Sequence, residues 1–133
     1  MRRLAVFVAL LATFATTASA EAKRLVRYDI TGGLVGISER LVVDTDGSAF
    51  QTGRRGGDQR FTVSAKQLRA LKRELKAARF RSLKRRYEPH FRVFDGTTQT
   101  VRHNGRSVSV YTGADVPARL SRVLRRLSRL MRP

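Results

Sequence analysis

The chain has 133 residues, with 28 lysines and arginines against 10 acids, a formal net charge of +18 and no cysteine. That excludes a disulfide scaffold, thiolate metal sites and cysteine nucleophiles, and it leaves room for one domain with one modest core. The charge directs the molecule towards anionic surfaces or acidic partners by long-range attraction.

Arg2 and Arg3 open the chain, residues 4–12 form an apolar run, and Ala18-Ser19-Ala20 is a small-residue cleavage site. This is the pattern of a secretory signal peptide over residues 1–20, cleaved after Ala20. The run is too short and too rich in Ala and Thr for a spanning helix. The domain is then residues 21–133, secreted or held in the periplasm or cell envelope. A secreted domain without disulfides needs a closed sheet-and-helix core.

Residues 25–31 alternate, with Val26, Tyr28 and Ile30 facing one way and Arg27 and Asp29 the other, as in a half-buried strand. Gly32-Gly33-Leu34-Val35-Gly36 follows, and its three glycines allow positive φ and close backbone approach. Leu34 and Val35 either form an exposed recognition tip or fold back to close the core edge. Residues 37–44 resume as a strand, with Ile37, Leu41 and Val43 on one face. Asp46-Gly47 signals a turn, and residues 48–52 can form a short return strand. The stretch from Asp44 to Gly47 lacks the later acids of a calcium loop and reads as a plain turn. Residues 53–60 (GRRGGDQR) have no apolar side chain and read as a loop.

Residues 63–83 organise the rest. Ser64 is an N-cap, with Gln67 placed for a capping box and Val63 and Leu68 for a hydrophobic staple. Leu68, Leu71, Leu75 and Ala78 make one apolar stripe, and Arg69, Lys72, Arg73, Lys76 and Arg79 cover much of the remaining surface. The helix ends near Arg79, and Phe80 and Leu83 return to the core. Tyr87-Glu88-Pro89 stops any further helix. Phe91, Val93 and Phe94 read as a short extended segment ending at Asp95-Gly96. Residues 97–111 form a hairpin about Asn104-Gly105, with His103 opposite Arg106, Val101 opposite Val108 and Gln99 opposite Val110. Asp115 is placed to cap a second helix with Pro117 in its first turn. Leu120, Val123, Leu124, Leu127, Leu130 and Met131 line one side of that helix and arginines the other. The expected fold is therefore α+β: an antiparallel sheet of four to five strands built from two hairpins, with two amphipathic helices packed on it, in the order β-β-(β)-α-β-β-α.

Catalytic chemistry finds little support. His90 and His103 are the only histidines, and no zincin or paired-ligand spacing accompanies them. No serine stands in a nucleophile elbow, and the three glycines are not followed by a helix that could cradle phosphate. No metal or cofactor is expected, and no nucleic-acid motif accompanies the charge.

Several stretches together carry a likeness. They are Tyr28-x-Ile30-x-Gly32-Gly33-Leu34-x-Gly36-Ile37, the leucine-spaced helix leading into Ala78-Arg79-Phe80-x-x-Leu83, Asp95, the Asn104-Gly105-Arg106 hairpin and Val116-Pro117-x-x-Leu120. The chain resembles the emfourin family, proteinaceous inhibitors of protealysin-like, thermolysin-type metalloproteases, together with secreted relatives of unknown role. The resemblance implies an α+β fold and protein–protein binding rather than catalysis. The expected function is thus a secreted, monomeric, non-enzymatic binding domain that inhibits such a metalloprotease. Gly32, Gly33, Leu34, Val35 and Gly36 would enter the partner's cleft as a rigid loop, and Arg54 and Arg55 would steer towards an acidic target. The alternative is a basic cell-envelope protein held to anionic polymers or lipid surfaces by charge.

Overall fold

The computed structural model of the protein describes residues 23–53 and 57–131. The expected signal peptide, residues 1–20, and Arg54 and Arg55 lie outside the described residues. The elements are β1 (Arg24–Gly32), β2 (Ile37–Asp44), β3 (Ser48–Thr52), β4 (Gln59–Thr62), α1 (Ala65–Ala78), β5 (Arg86–Tyr87), β6 (Thr97–His103), β7 (Arg106–Tyr111) and α2 (Ala118–Leu130). A single 3-10 turn, Phe80–Ser82, follows α1.

The α+β class is as expected, but the sheet is larger and mixed. It has seven strands in the order β4-β3-β2-β1-β6-β7-β5. Two of them correct the sequence reading. Strand β4 takes Gln59 and Arg60 from what reads as a polar loop. They extend because Phe61 pairs with Ala49 and is partly buried against the core, which draws the preceding residues into register with β3. Strand β5 has only two residues and runs parallel to β7, with Arg86 beside Ser109 and Tyr87 beside Val110. The element order is thus β-β-β-β-α-β-β-β-α.

Alternation decides which face is covered. Val26, Tyr28, Leu41, Val43, Ala49, Val101, Val108 and Val110 are buried and point to one side. Their neighbours Arg27, Asp29, Arg40, Thr100 and Ser109 form the other side. There Asp29 accepts from Arg27 Nε at 2.8 Å and from Arg40 Nε at 2.6 Å. The β6–β7 hairpin has the register its turn demands, with His103 opposite Arg106, Val101 opposite Val108 and Gln99 opposite Val110. Asn104 and Gly105 both take the positive φ of a type I′ turn.

Both helices lie on the apolar face. In α1 the Ser64 capping box forms in full, and Leu71, Leu75 and Ala78 are buried. In α2 the buried stripe is Leu120, Val123, Leu124, Leu127 and Leu130. Each fully buried leucine contributes about 1.5–3 kcal/mol. The expectation for Asp115 is corrected: α2 begins at Ala118, Pro117 stands at the N-cap, and no side chain caps that end. Asp115 is two residues too far upstream to reach the orphan amides. The helices are joined by Arg126, whose Nε and Nη2 donate to the two Glu74 carboxylate oxygens at 2.6 and 2.7 Å. No helix among the described residues is long and apolar enough to cross a membrane.

Candidate functional site

Strand β1 ends at Gly32, and β2 begins at Ile37 directly opposite it. The four residues between them form a tight turn closed by the Gly36 amide on the Gly33 carbonyl at 3.1 Å. Such a turn has no room to bend its two apolar residues back onto the sheet. Leu34 is 71% exposed and Val35 69%. Of the two readings left open by the sequence, the exposed tip is the observed one.

The turn does not stand alone. Gly32 also pairs with Thr97 at the start of β6, which brings the loop before β6 alongside the β1–β2 turn. Two bonds tie the loops together. The Gly33 amide donates to the Gly96 carbonyl at 3.1 Å, and the Leu34 amide donates to the Asp95 carboxylate. The second loop is itself braced: the Gly96 amide and Tyr111 Oη both donate to the Val93 carbonyl, at 3.1 and 2.8 Å. Two glycines make room for this arrangement, Gly32 for the approach of the loops and Gly96 for the Tyr111 brace. Gly32, at φ +112°, would place a Cβ 3.0 Å from the Gly96 carbonyl oxygen. A Cβ on Gly96 would lie 2.7 Å from Cε1 of Tyr111. A larger residue at Gly32 would force the loops apart, and one at Gly96 would push the Tyr111 ring off its bond to the Val93 carbonyl.

The second loop brings its own apolar side chains. Phe91 is 88% exposed, Phe94 92% and Val93 50%. Among the described residues, the large apolar side chains left exposed are these three with Leu34 and Val35. All five therefore sit in two hydrogen-bonded loops at one end of the sheet. Two phenylalanines at roughly 150–250 Å² each, with the smaller residues, amount to an apolar surface on the order of 600 Å², a size associated with interaction sites. Arg92, between the aromatic residues, is held away by Glu88 at 3.0 Å and lies 5.3 Å from the Tyr111 ring centre.

The structure thus places Gly32, Gly33, Leu34, Val35 and Gly36 at one tip, and it adds a partner loop that sequence reasoning missed. Phe91, Val93 and Phe94 were expected as a short extended segment, but no strand forms there. The available signal was three apolar residues in four positions, bounded by Pro89 and Asp95-Gly96, with no opposing segment to bury them. Arg54 and Arg55, outside the described residues, receive no position. His90 lies exposed in the same loop region, whereas His103 Nδ1 contacts the Leu25 carbonyl at 2.8 Å at the far end of the sheet. No group of three or more potential metal ligands occurs among the described residues. The tip offers backbone-anchored apolar surface, which is the chemistry of recognition.

Compared with known proteins, the chain matches no family model and no curated sequence.

Proposed function

We propose that the protein is a secreted, non-enzymatic binding domain that inserts the apolar tip formed by Leu34, Val35, Phe91, Val93 and Phe94 into a cleft of a partner protein. The observation that carries this reading is the cross-tie between the two loops through Asp95 and Gly96. Exposed apolar side chains on a loose loop would collapse or lose ordering entropy on binding. Here the backbone is held before any partner arrives, so more of the contact energy remains as affinity. The resemblance to emfourins supplies the partner class, a thermolysin-type metalloprotease outside the cytoplasm. A short turn of small and mid-sized residues tied to a loop with two exposed aromatic rings suits a substrate cleft.

The test is titration of a thermolysin-type metalloprotease with the purified protein in moderate salt. The expected result is saturable, one-to-one loss of activity that persists as salt is raised. Unchanged protease activity at a large excess of the protein would refute the inhibitory reading. The charge favours a second reading, adsorption to an anionic envelope polymer or lipid surface. Arg122, Arg125 and Arg129 on the exposed side of α2 would serve it, and such binding would fall steeply with salt and ignore the tip.

A further inference from the structure

The far end of the sheet carries a feature that the tip does not use. Strand β1 runs nine residues from the tip at Gly32 to Arg24, roughly 26 Å at the rise of an extended chain. At that end lies an open groove of about 810 Å³. Four parts of the chain build it: the start of β1, the last turn of α1, the 3-10 turn and the β6–β7 turn. Lys23 and Arg24 enter from the first, Lys76 and Arg79 from the second and Arg81 from the third. Arg102 and Arg106 flank the fourth. No carboxylate lines it.

Four arginines elsewhere are matched to acids, Arg27 and Arg40 with Asp29, Arg92 with Glu88 and Arg126 with Glu74. Others, such as Arg122, Arg125 and Arg129 on α2, form no such pair among the described residues, but they lie along one open helix face, whereas the groove gathers its cations around one cavity. None of the seven groove cations forms such a pair among the described residues. Gathering them around one cavity raises their mutual repulsion, and a bound anion would relieve it.

A second observation points the same way. Arg79 closes α1 in the left-handed conformation, at φ 50° and ψ 64°. Glycine is the unstrained choice at that position, because a Cβ is crowded there. A cation near a helix C-terminus offsets the helix dipole, but Lys76 already stands in the last turn. The backbone strain at Arg79 is thus retained for an arginine side chain that lines the groove, and strain kept at an exposed position points to function rather than stability.

From the cations gathered around one cavity without a carboxylate, of which Arg106 also donates to the Leu83 carbonyl at 2.8 Å, and from the strained Arg79, we infer that this groove binds an anion carrying two or more phosphate groups. Five of its seven cations are arginines, whose planar fork matches phosphate oxygens two at a time. Their origin in four separate segments around the cavity suits a ligand with spaced charges rather than a single ion. The phosphates can belong to a soluble oligophosphate or to phosphodiester headgroups on a surface. The inference is independent of the inhibitory reading, since it concerns the opposite end of the sheet.

The test is calorimetric titration with tripolyphosphate, on three charge-reduced variants. The pair Arg79→Gly with Arg81→Gln alters the groove. The pair Arg122→Gln with Arg125→Gln removes the same charge from the exposed side of α2. Arg102→Gln repeats the groove test without touching the helix end. The expected result is saturable one-to-one binding, weakened at least tenfold by the first pair, several-fold by Arg102→Gln and less than threefold by the α2 pair. Thermal denaturation of a fourth variant, Arg79→Gly alone, should show an unchanged or higher midpoint, because glycine relieves the left-handed strain. Equal weakening by both pairs, or failure to saturate, would overturn the inference, since whole-molecule charge would then explain the binding. Vesicles of phosphatidylglycerol in phosphatidylcholine separate the two sources. Release of vesicle-bound protein by tripolyphosphate assigns the groove to headgroups. One-to-one oligophosphate binding without such release assigns it to a soluble ligand.

Discussion

Replacing Phe91 and Phe94 with serine separates binding from folding in a way few substitutions in this protein can. Both rings are about nine-tenths exposed in the free molecule. Neither belongs to the buried core, so the loss of either should change stability by about 0.5 kcal/mol or less. A bound partner would reverse their situation. Each ring presents roughly 200 Å², and full burial at about 25 cal/mol per Å² sets a ceiling near 5 kcal/mol per ring. Incomplete burial and the ordering of the ring reduce this to about 2–3 kcal/mol, or roughly 30- to 150-fold in the inhibition constant for each substitution. Inhibition titrations against a thermolysin-type protease, run beside thermal denaturation, measure both quantities on the same samples. An unchanged inhibition constant in the double variant would remove the second loop from the binding surface. A collapse of the melting temperature would show instead that the rings support the fold, and the reasoning from their exposure would be refuted.

Other substitutions probe what holds the tip and the helices. Gly96→Ala drives a methyl group against the Tyr111 ring and should break the Tyr111 bond to the Val93 carbonyl. A loss of about 1–3 kcal/mol by chemical denaturation is expected, together with weaker inhibition; unaltered stability would mean the Tyr111 ring moves aside without strain. Glu74→Gln breaks the two-bond contact that raises the Arg126 pKa above its ordinary value. The pair is partly screened by solvent, so the expected loss is only about 0.5–1 kcal/mol in urea unfolding. The Ser48 amide, donating at 2.9 Å, holds the Asp46 carboxyl below the ordinary aspartate value. A lowered pKa stabilises the fold above the unfolded-state value and loses that effect as pH falls through the folded-state value. The melting difference between the wild type and Asp46→Ala should therefore be present at neutral pH and vanish in strong acid; a difference independent of pH would contradict it.

Elements whose structure is settled within a few residues were legible from the chain. The start of α1 depends on Ser64 and Gln67 bonding to each other's backbone, and the β6–β7 hairpin on the positive φ of Asn104 and Gly105. Both are local hydrogen-bond and steric choices that need no distant partner, and the leucine stripes follow from helical period alone. Strands β4 and β5 were not legible. Gln59, Arg60 and Arg86 carry no strand signature, and they extend only because β3 and β7 offer unpaired edges beside them. The start of α2 was misplaced for a related reason: Asp115 has the chemistry of a cap, but the docking of Leu120 and Val123 sets where the helix begins. The candidate tip divides the same way. Its glycine turn is visible in the sequence as Gly32-Gly33-Leu34-Val35-Gly36. Its aromatic half lies some sixty residues further on, joined through Asp95 and Leu34 at a separation of 61 residues. Only the pairing of β1 with β6 makes these one surface. Local propensity determines what each segment can become, whereas burial and strand pairing act between segments and decide which exposed side chains end up side by side.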